Sequence, residues 1–211
     1  QLDMITENAN GVQRSYTLRI FRQQDEAAEK QQLEYLAPAD VRGTKFLSIK
    51  EGDAPSQMWL YMPALGRERR IAANMASDKF MGTDFTYEEI AGDFDYTEDY
   101  QAERLPDEIL DGAAVYVLDL LPHGDAPYAR IKMWVRQEGV LPMRLELYSQ
   151  NSAQPTKTLQ LGDFREVEGE MIPHYLEMRD ELAGTRTILR LSEISSGTVD
   201  EEIFSLRYLR R

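Results

Sequence analysis

Along the chain, apolar residues recur at every second position far more often than at helical spacing. Tyr16, Leu18 and Ile20 alternate with Thr17, Arg19 and Phe21. Ile131, Met133 and Val135 alternate with Lys132, Trp134 and Arg136, and Met143, Leu145 and Leu147 with Arg144, Glu146 and Tyr148. A period of two with one apolar face marks a half-buried strand. The same reading marks residues 2–6, 32–36, 45–49, 58–62, 69–73, 96–104, 115–121, 158–165, 171–178 and 185–193. Asn10-Gly11, Arg42-Gly43, Leu65-Gly66, Glu138-Gly139, Glu168-Gly169 and Ala183-Gly184 lie between these segments as turns. Connections this short join antiparallel neighbours, because a parallel pair needs a crossover of roughly a dozen residues. The pattern therefore predicts a mainly β meander: a single curved antiparallel sheet of about 11 strands.

Helix signals are few. Thr83 or Asp84 is placed to cap a helix over 85–91, Pro106 to open a turn through 110, and a third short turn is expected over 201–206. No repeat, low-complexity tract or linker interrupts the chain, so residues 1–211 are expected to form a single domain. So wide a sheet has more apolar face than two or three short helices can cover. Curling toward an incomplete barrel, with the helices as a lid, is the ordinary remedy. The hollow of such a curl is either filled by its own side chains or left for a ligand, and alternation alone leaves both open.

Composition narrows the function. At 42% hydrophobic and 29% charged, the 211 residues describe an ordinary globular chain. With 24 Lys plus Arg against 37 Asp plus Glu, the formal net charge is −13, a field that repels nucleic acid. The absence of cysteine excludes disulfides, thiolate metal sites and cysteine nucleophiles within these residues. Apolar runs are far shorter than the roughly 20 residues of a membrane-spanning helix. The chain opens at Gln1 on an alternating segment rather than a secretory leader, and the expectation is that an upstream segment with a signal peptide has been removed.

The most distinctive stretch runs Met58-Trp59-Leu60-Tyr61-Met62-Pro63-Ala64-Leu65-Gly66-Arg67-Glu68-Arg69-Arg70-Ile71. After a spacer it continues Phe80-Met81-Gly82-Thr83-Asp84-Phe85-Thr86-Tyr87-Glu88-Glu89-Ile90. This order resembles the outer-membrane lipoprotein-sorting protein family, LolA-like relatives of the periplasmic lipoprotein carrier. Residues 38–47, 169–178 and 204–209 agree with it, whereas the family's leader and first helix have no counterpart here. The resemblance implies an eleven-stranded antiparallel half-barrel with a helical lid over an apolar cavity. It implies acyl chains of a lipoprotein or another lipid as ligand, an inner-membrane exporter and an outer-membrane acceptor as partners, a periplasmic location, and no cofactor.

Candidate cavity residues follow from the alternation and the resemblance together: Met58, Trp59, Leu60, Tyr61, Met62, Phe80, Met81, Phe85, Met133, Met143, Leu145 and Met178. Unbranched thioethers repack around chains of varying length, although each methionine also suits an ordinary core. Trp59 and Tyr61 stand opposite Leu60, so both faces of that strand must meet something, a ligand or Phe80, Phe85 and Tyr87. Arg67, Arg69 and Arg70 form a basic cluster suited to a head group or a partner, or simply a solvated turn paired with nearby acids.

Asp93, Asp95, Glu98 and Asp99 lack the spacing of a calcium loop, and His123 and His174 belong to no metal motif. Neither a nucleophile elbow nor a phosphate loop is present, so a non-enzymatic protein is expected. The alternative is an envelope interaction or sensing module that uses the same half-barrel to bind a protein.

Overall fold

The computed structural model describes residues 1–52, 54–92 and 99–211. Its thirteen strands are β1 (Leu2–Glu7), β2 (Gln13–Gln24), β3 (Ala28–Ala37), β4 (Lys45–Glu51), β5 (Gln57–Met62), β6 (Arg67–Ile71), β7 (Tyr100–Leu110), β8 (Ala113–Pro122), β9 (Arg130–Arg136), β10 (Leu141–Tyr148), β11 (Lys157–Val167), β12 (Glu170–Asp180) and β13 (Thr185–Leu191). They form one sheet in the order β6-β5-β4-β3-β2-β1-β13-β12-β11-β10-β9-β8-β7. β6 and β7 end the sheet without pairing to each other, so it is not closed into a barrel. Each alternating segment became a strand as far as it is described, with residues 96–98 of the segment 96–104 outside the described residues; the thirteen are two more than the eleven that the resemblance implies.

Among the described residues two short α-helices accompany the sheet, α1 (Tyr87–Ala91) and α2 (Leu206–Leu209), with 3-10 turns that include Phe80–Gly82 and Glu201–Phe204. The chain falls into two compact units. The first comprises Gln1–Ile5, Arg14–Asp93 and Leu191–Arg211; the second comprises Thr6–Gln13 and Phe94–Arg190. Both α-helices and these 3-10 turns belong to the first unit.

Two local expectations need correction. α1 is capped by Thr86, not by Thr83 or Asp84: its hydroxyl accepts the Glu89 amide at 3.2 Å, and the Glu89 carboxylate accepts the Thr86 amide at 2.7 Å. That reciprocal capping box satisfies two amides at once. Thr83 instead donates to the Phe80 carbonyl at 2.7 Å, and Asp84 pairs with Lys79 at 3.2 Å. Residues 106–110 are not a turn but the second half of β7, where the register slips between Leu105 and Glu108. Proline is tolerated in a strand at a sheet edge or a bulge, and Pro106 has both.

The turn into β4 needs a glycine. Gly43 has φ +79°, and a Cβ there would meet the Pro63 ring at 3.2 Å. Its amide donates to the Tyr35 carbonyl at 2.8 Å and ties the end of β3 to the turn.

Candidate functional site

In the first unit, β5 is apolar on both faces, and the chain's own segments meet each of them. Leu60 pairs with Phe46 and Met58 with Ser48 on β4. The Phe46 ring lies 5.2 Å from Phe80 and 5.9 Å from Tyr87, and those two rings are 5.3 Å apart. This aromatic triad closes one face. Gln31 donates to the Ile90 carbonyl at 2.7 Å and anchors the end of α1 to β3.

On the opposite face, Trp59 and Tyr61 pack against Leu47, Phe204 and Leu209, with Phe21, Ile49 and Val199 around them. This C-terminal clasp carries its own caps. The Asp200 carboxylate accepts the Glu202 amide at 2.9 Å, and the Ser205 hydroxyl accepts the Tyr208 amide at 3.1 Å. Its charges are fastened to the sheet: Lys30 to Glu201 at 2.8 Å, Lys45 to the Tyr208 carbonyl at 3.1 Å, and Arg210 Nε to Glu68 at 2.8 Å. Lys30 and then Gln23 hold the Glu201 carboxyl below its ordinary range. Arg210, and next the residue's own amide, do the same for Glu68.

The second unit is built differently. Paired strands place Leu118, Met133, Leu145, Leu159, Met178 and Thr187 in one continuous cross-strand row from β8 to β13. Leu120, Ile131 and Leu147 form a parallel row, and Leu161, Leu176 and Leu189 extend the face. The other face is polar, with Asp119, Lys132, Glu146, Thr158, Arg179 and Arg186 in one row. Arg130 donates to Asp119 at 2.6 Å, Arg144 to Glu146 at 2.7 Å and Arg179 to Glu177 at 2.6 Å. Buried Glu177 also accepts the Tyr175 hydroxyl at 2.5 Å; burial, and then this bond, push the phenol's pKa up. One face of the unit's sheet is thus aliphatic, while the other carries this ion-pair lattice beside a buried apolar cluster of Val115, Val117 and Trp134.

A family model described as an uncharacterized protein matches residues 27–211. The chain belongs to that family. Solved structures supply its fold. A domain assigned as an outer membrane lipoprotein-sorting protein from Vibrio parahaemolyticus is 27% identical, with a TM-score of 0.89 over 100% of this chain and 89% of that one. A DUF1329 family protein from Desulfovibrio piger is 22% identical, with a TM-score of 0.90 over 99% and 89%. A LolA superfamily protein from Nitrosomonas europaea is 23% identical, with a TM-score of 0.74 over 98% and 89%. No curated protein matches the sequence. The resemblance seen in residues 58–90 holds for the fold, which is LolA-like.

Within this fold the expected cavity residues separate into groups. Met58, Leu60, Phe80 and Phe85 are buried core of the first unit, Met62 and Met81 are half-buried, and Trp59 and Tyr61 lie under the C-terminal clasp. A shallow surface depression in this unit, too open to enclose a ligand, is lined by Arg22, Glu29, Lys30, Gln31, Ser48 and Ala91, none of them an expected cavity residue. In the second unit, Met133, Leu145 and Met178 share the aliphatic row, joined by Leu159. Met143 does not share it. The register slips between Pro142 and Arg144, and Met143 packs with Val115, Val117 and Trp134 on the opposite face. A bulge places two residues against one, and strict alternation misassigns the face there.

Arg67, Arg69 and Arg70 are all exposed on β6. His174 is buried with Nδ1 3.0 Å from the Ile172 carbonyl, and His123 lies in an exposed loop. Of the acidic run, Asp93, Asp95 and Glu98 lie outside the described residues, while the Asp99 carbonyl accepts the His123 amide at 2.9 Å. Among the described residues no group of three His, Asp or Glu is placed to hold a metal, and no helix is long and apolar enough to cross a membrane.

Proposed function

We propose that this protein is a periplasmic carrier that shields the acyl chain of a lipoprotein or another lipid, and that the chain lies along the aliphatic face of the second unit. The observation that carries the reading is the row Met133, Leu145, Leu159 and Met178, flanked by Ile131, Leu147, Leu161 and Leu176. It forms a broad aliphatic face, with Met133, Leu145 and Met178 buried and Leu159 half-buried, in a unit that has no helix of its own among the described residues. Two methionines in the row give it side chains that repack around a flexible ligand.

Eight methylenes lying on such a surface would gain about 6 kcal/mol at ~0.8 kcal/mol each, before the cost of ordering the chain. The likeness to a sorting-protein domain supports the same reading. No covalent step or cofactor belongs to it. Loading from an inner membrane and release to an outer-membrane acceptor require only partners that bind the loaded and empty forms unequally.

Native mass spectrometry of the protein purified from a bacterial envelope, followed by lipid extraction, tests the proposal. Co-purified lipid and saturable uptake of a fluorescent fatty acid are the expected results. A protein recovered without lipid that also takes up no fatty acid would overturn it.

A further inference from the structure

β6 ends the sheet, and it is bonded only through its inner edge, to β5. Among the described residues no other backbone group pairs with Arg67–Ile71. Unpaired edges are templates for another strand, and proteins usually blunt them.

This edge carries an unusual charge. Arg67 and Arg69, opposite Met62 and Leu60, share one face; Arg70, opposite Trp59, lies on the other. Its guanidinium sits 6.0 Å from the Trp59 ring and 3.3 Å from the Gln57 side-chain oxygen. The chain holds 37 Asp plus Glu, yet among the described residues none of these three arginines lies within ion-pair distance of a carboxylate. Glu68, the one acid on the strand, is already held by Arg210. The three arginines are solvated as expected, but among the described residues the expected pairing with nearby acids is not seen.

We propose that the outer edge of β6 docks an extended, carboxylate-bearing segment of a partner protein, which adds to the sheet as a further strand. Main-chain hydrogen bonds to the edge supply sequence-independent affinity, and alternate side chains supply specificity. In an added strand, every second side chain falls beside Arg67 and Arg69, and a residue of the opposite parity falls beside Arg70. Acids at alternating positions fit the first face, and one acid of the other parity fits Arg70. Guanidinium forks match carboxylates in two-bond geometry, and the two rows of arginines fix the register of the incoming strand. The site stands whether or not an acyl chain binds the second unit.

The test uses the full chain and a fluorescein-labelled peptide of alternating acidic and β-branched residues, read by anisotropy. Saturable binding that weakens with salt is expected, with protection of β6 amides in hydrogen exchange. The Arg67→Glu/Arg69→Glu variant, whose two sites are exposed and whose melting should match the unchanged chain, should bind about tenfold or more weakly. The same peptide N-methylated at alternate amides keeps its charge but cannot pair, and on the unchanged chain it should lose binding. Absence of binding, equal binding of the N-methylated peptide, or indifference to the double charge reversal would each overturn the proposal. So would capture of anionic vesicles in place of the peptide.

Discussion

Leu209→Ala is the sharpest probe of the C-terminal clasp. Leu209 is fully buried against Leu47 and Phe204, with Trp59 and Tyr61 packed on the same cluster. The substitution removes three carbons, about 2.4 kcal/mol at ~0.8 kcal/mol per buried carbon. A residual cavity adds to this, and Leu→Ala changes in cores span roughly 2–5 kcal/mol. Because the clasp is a terminal segment that can settle inward, a loss of about 3 kcal/mol is expected, or a melting temperature lowered by about 6–12 °C. Leu206→Ala, on the same helix but 36% exposed, should cost less than ~1 kcal/mol. The two tryptophans report the units separately: Trp59 belongs to the first and Trp134 to the second. In single-tryptophan chains, urea unfolding should shift at Trp59 and little at Trp134. Equal effects of Leu209→Ala and Leu206→Ala, or a shift seen only at Trp134, would refute the clasp as a stabilising element.

Acid should loosen the same clasp. The Glu201 and Glu68 carboxyls are held below their ordinary values by Lys30 and Arg210, so their stabilisation is present above the unfolded carboxyl pKa and is lost as pH falls through the folded value. Hydrogen exchange in residues 199–211 should therefore quicken as pH is lowered below about 4.5, after correction for intrinsic rates. Glu201→Gln should lessen that dependence. Gly43→Ala forces a side chain into φ +79° beside Pro63 and should cost about 1–3 kcal/mol in urea unfolding. Leu159→Gln, within the aliphatic row, should weaken fatty-acid uptake about tenfold or more by placing a polar group where the ligand lies. Met143→Gln, on the opposite face, should leave uptake within about twofold.

Period-two alternation read the strands well because a one-residue slip would turn each apolar face outward, so the pattern is strongly constrained. It failed where local geometry departs from that period. The bulge at Pro142/Arg144 moved Met143 away from Leu145, and the edge bulge absorbed Pro106 into β7. The cap of α1 was legible in Thr86-Tyr87-Glu88-Glu89, the spacing of a capping box, yet Thr83 and Asp84 lie earlier and have equally good capping side chains.

The C-terminal clasp was harder to see. Asp200 and Ser205 announce two short turns, but nothing local says that Phe204 and Leu209 cover Trp59 rather than each other. That pairing spans well over a hundred residues of sequence, and only the strand order makes it readable. Trp59 and Tyr61, apolar residues opposite an apolar Leu60, were the one clue that β5 needed a cover on each side.

The central claim is that the aliphatic face of the second unit takes an acyl chain. Photo-crosslinking with a diazirine-bearing fatty acid, mapped by peptide mass spectrometry, tests it most directly. Labels on strands β9–β12 at or beside Met133, Leu145, Leu159 and Met178, competed away by unlabelled fatty acid, are the predicted result. Labels confined to the first unit, or no competable label at all, would contradict it.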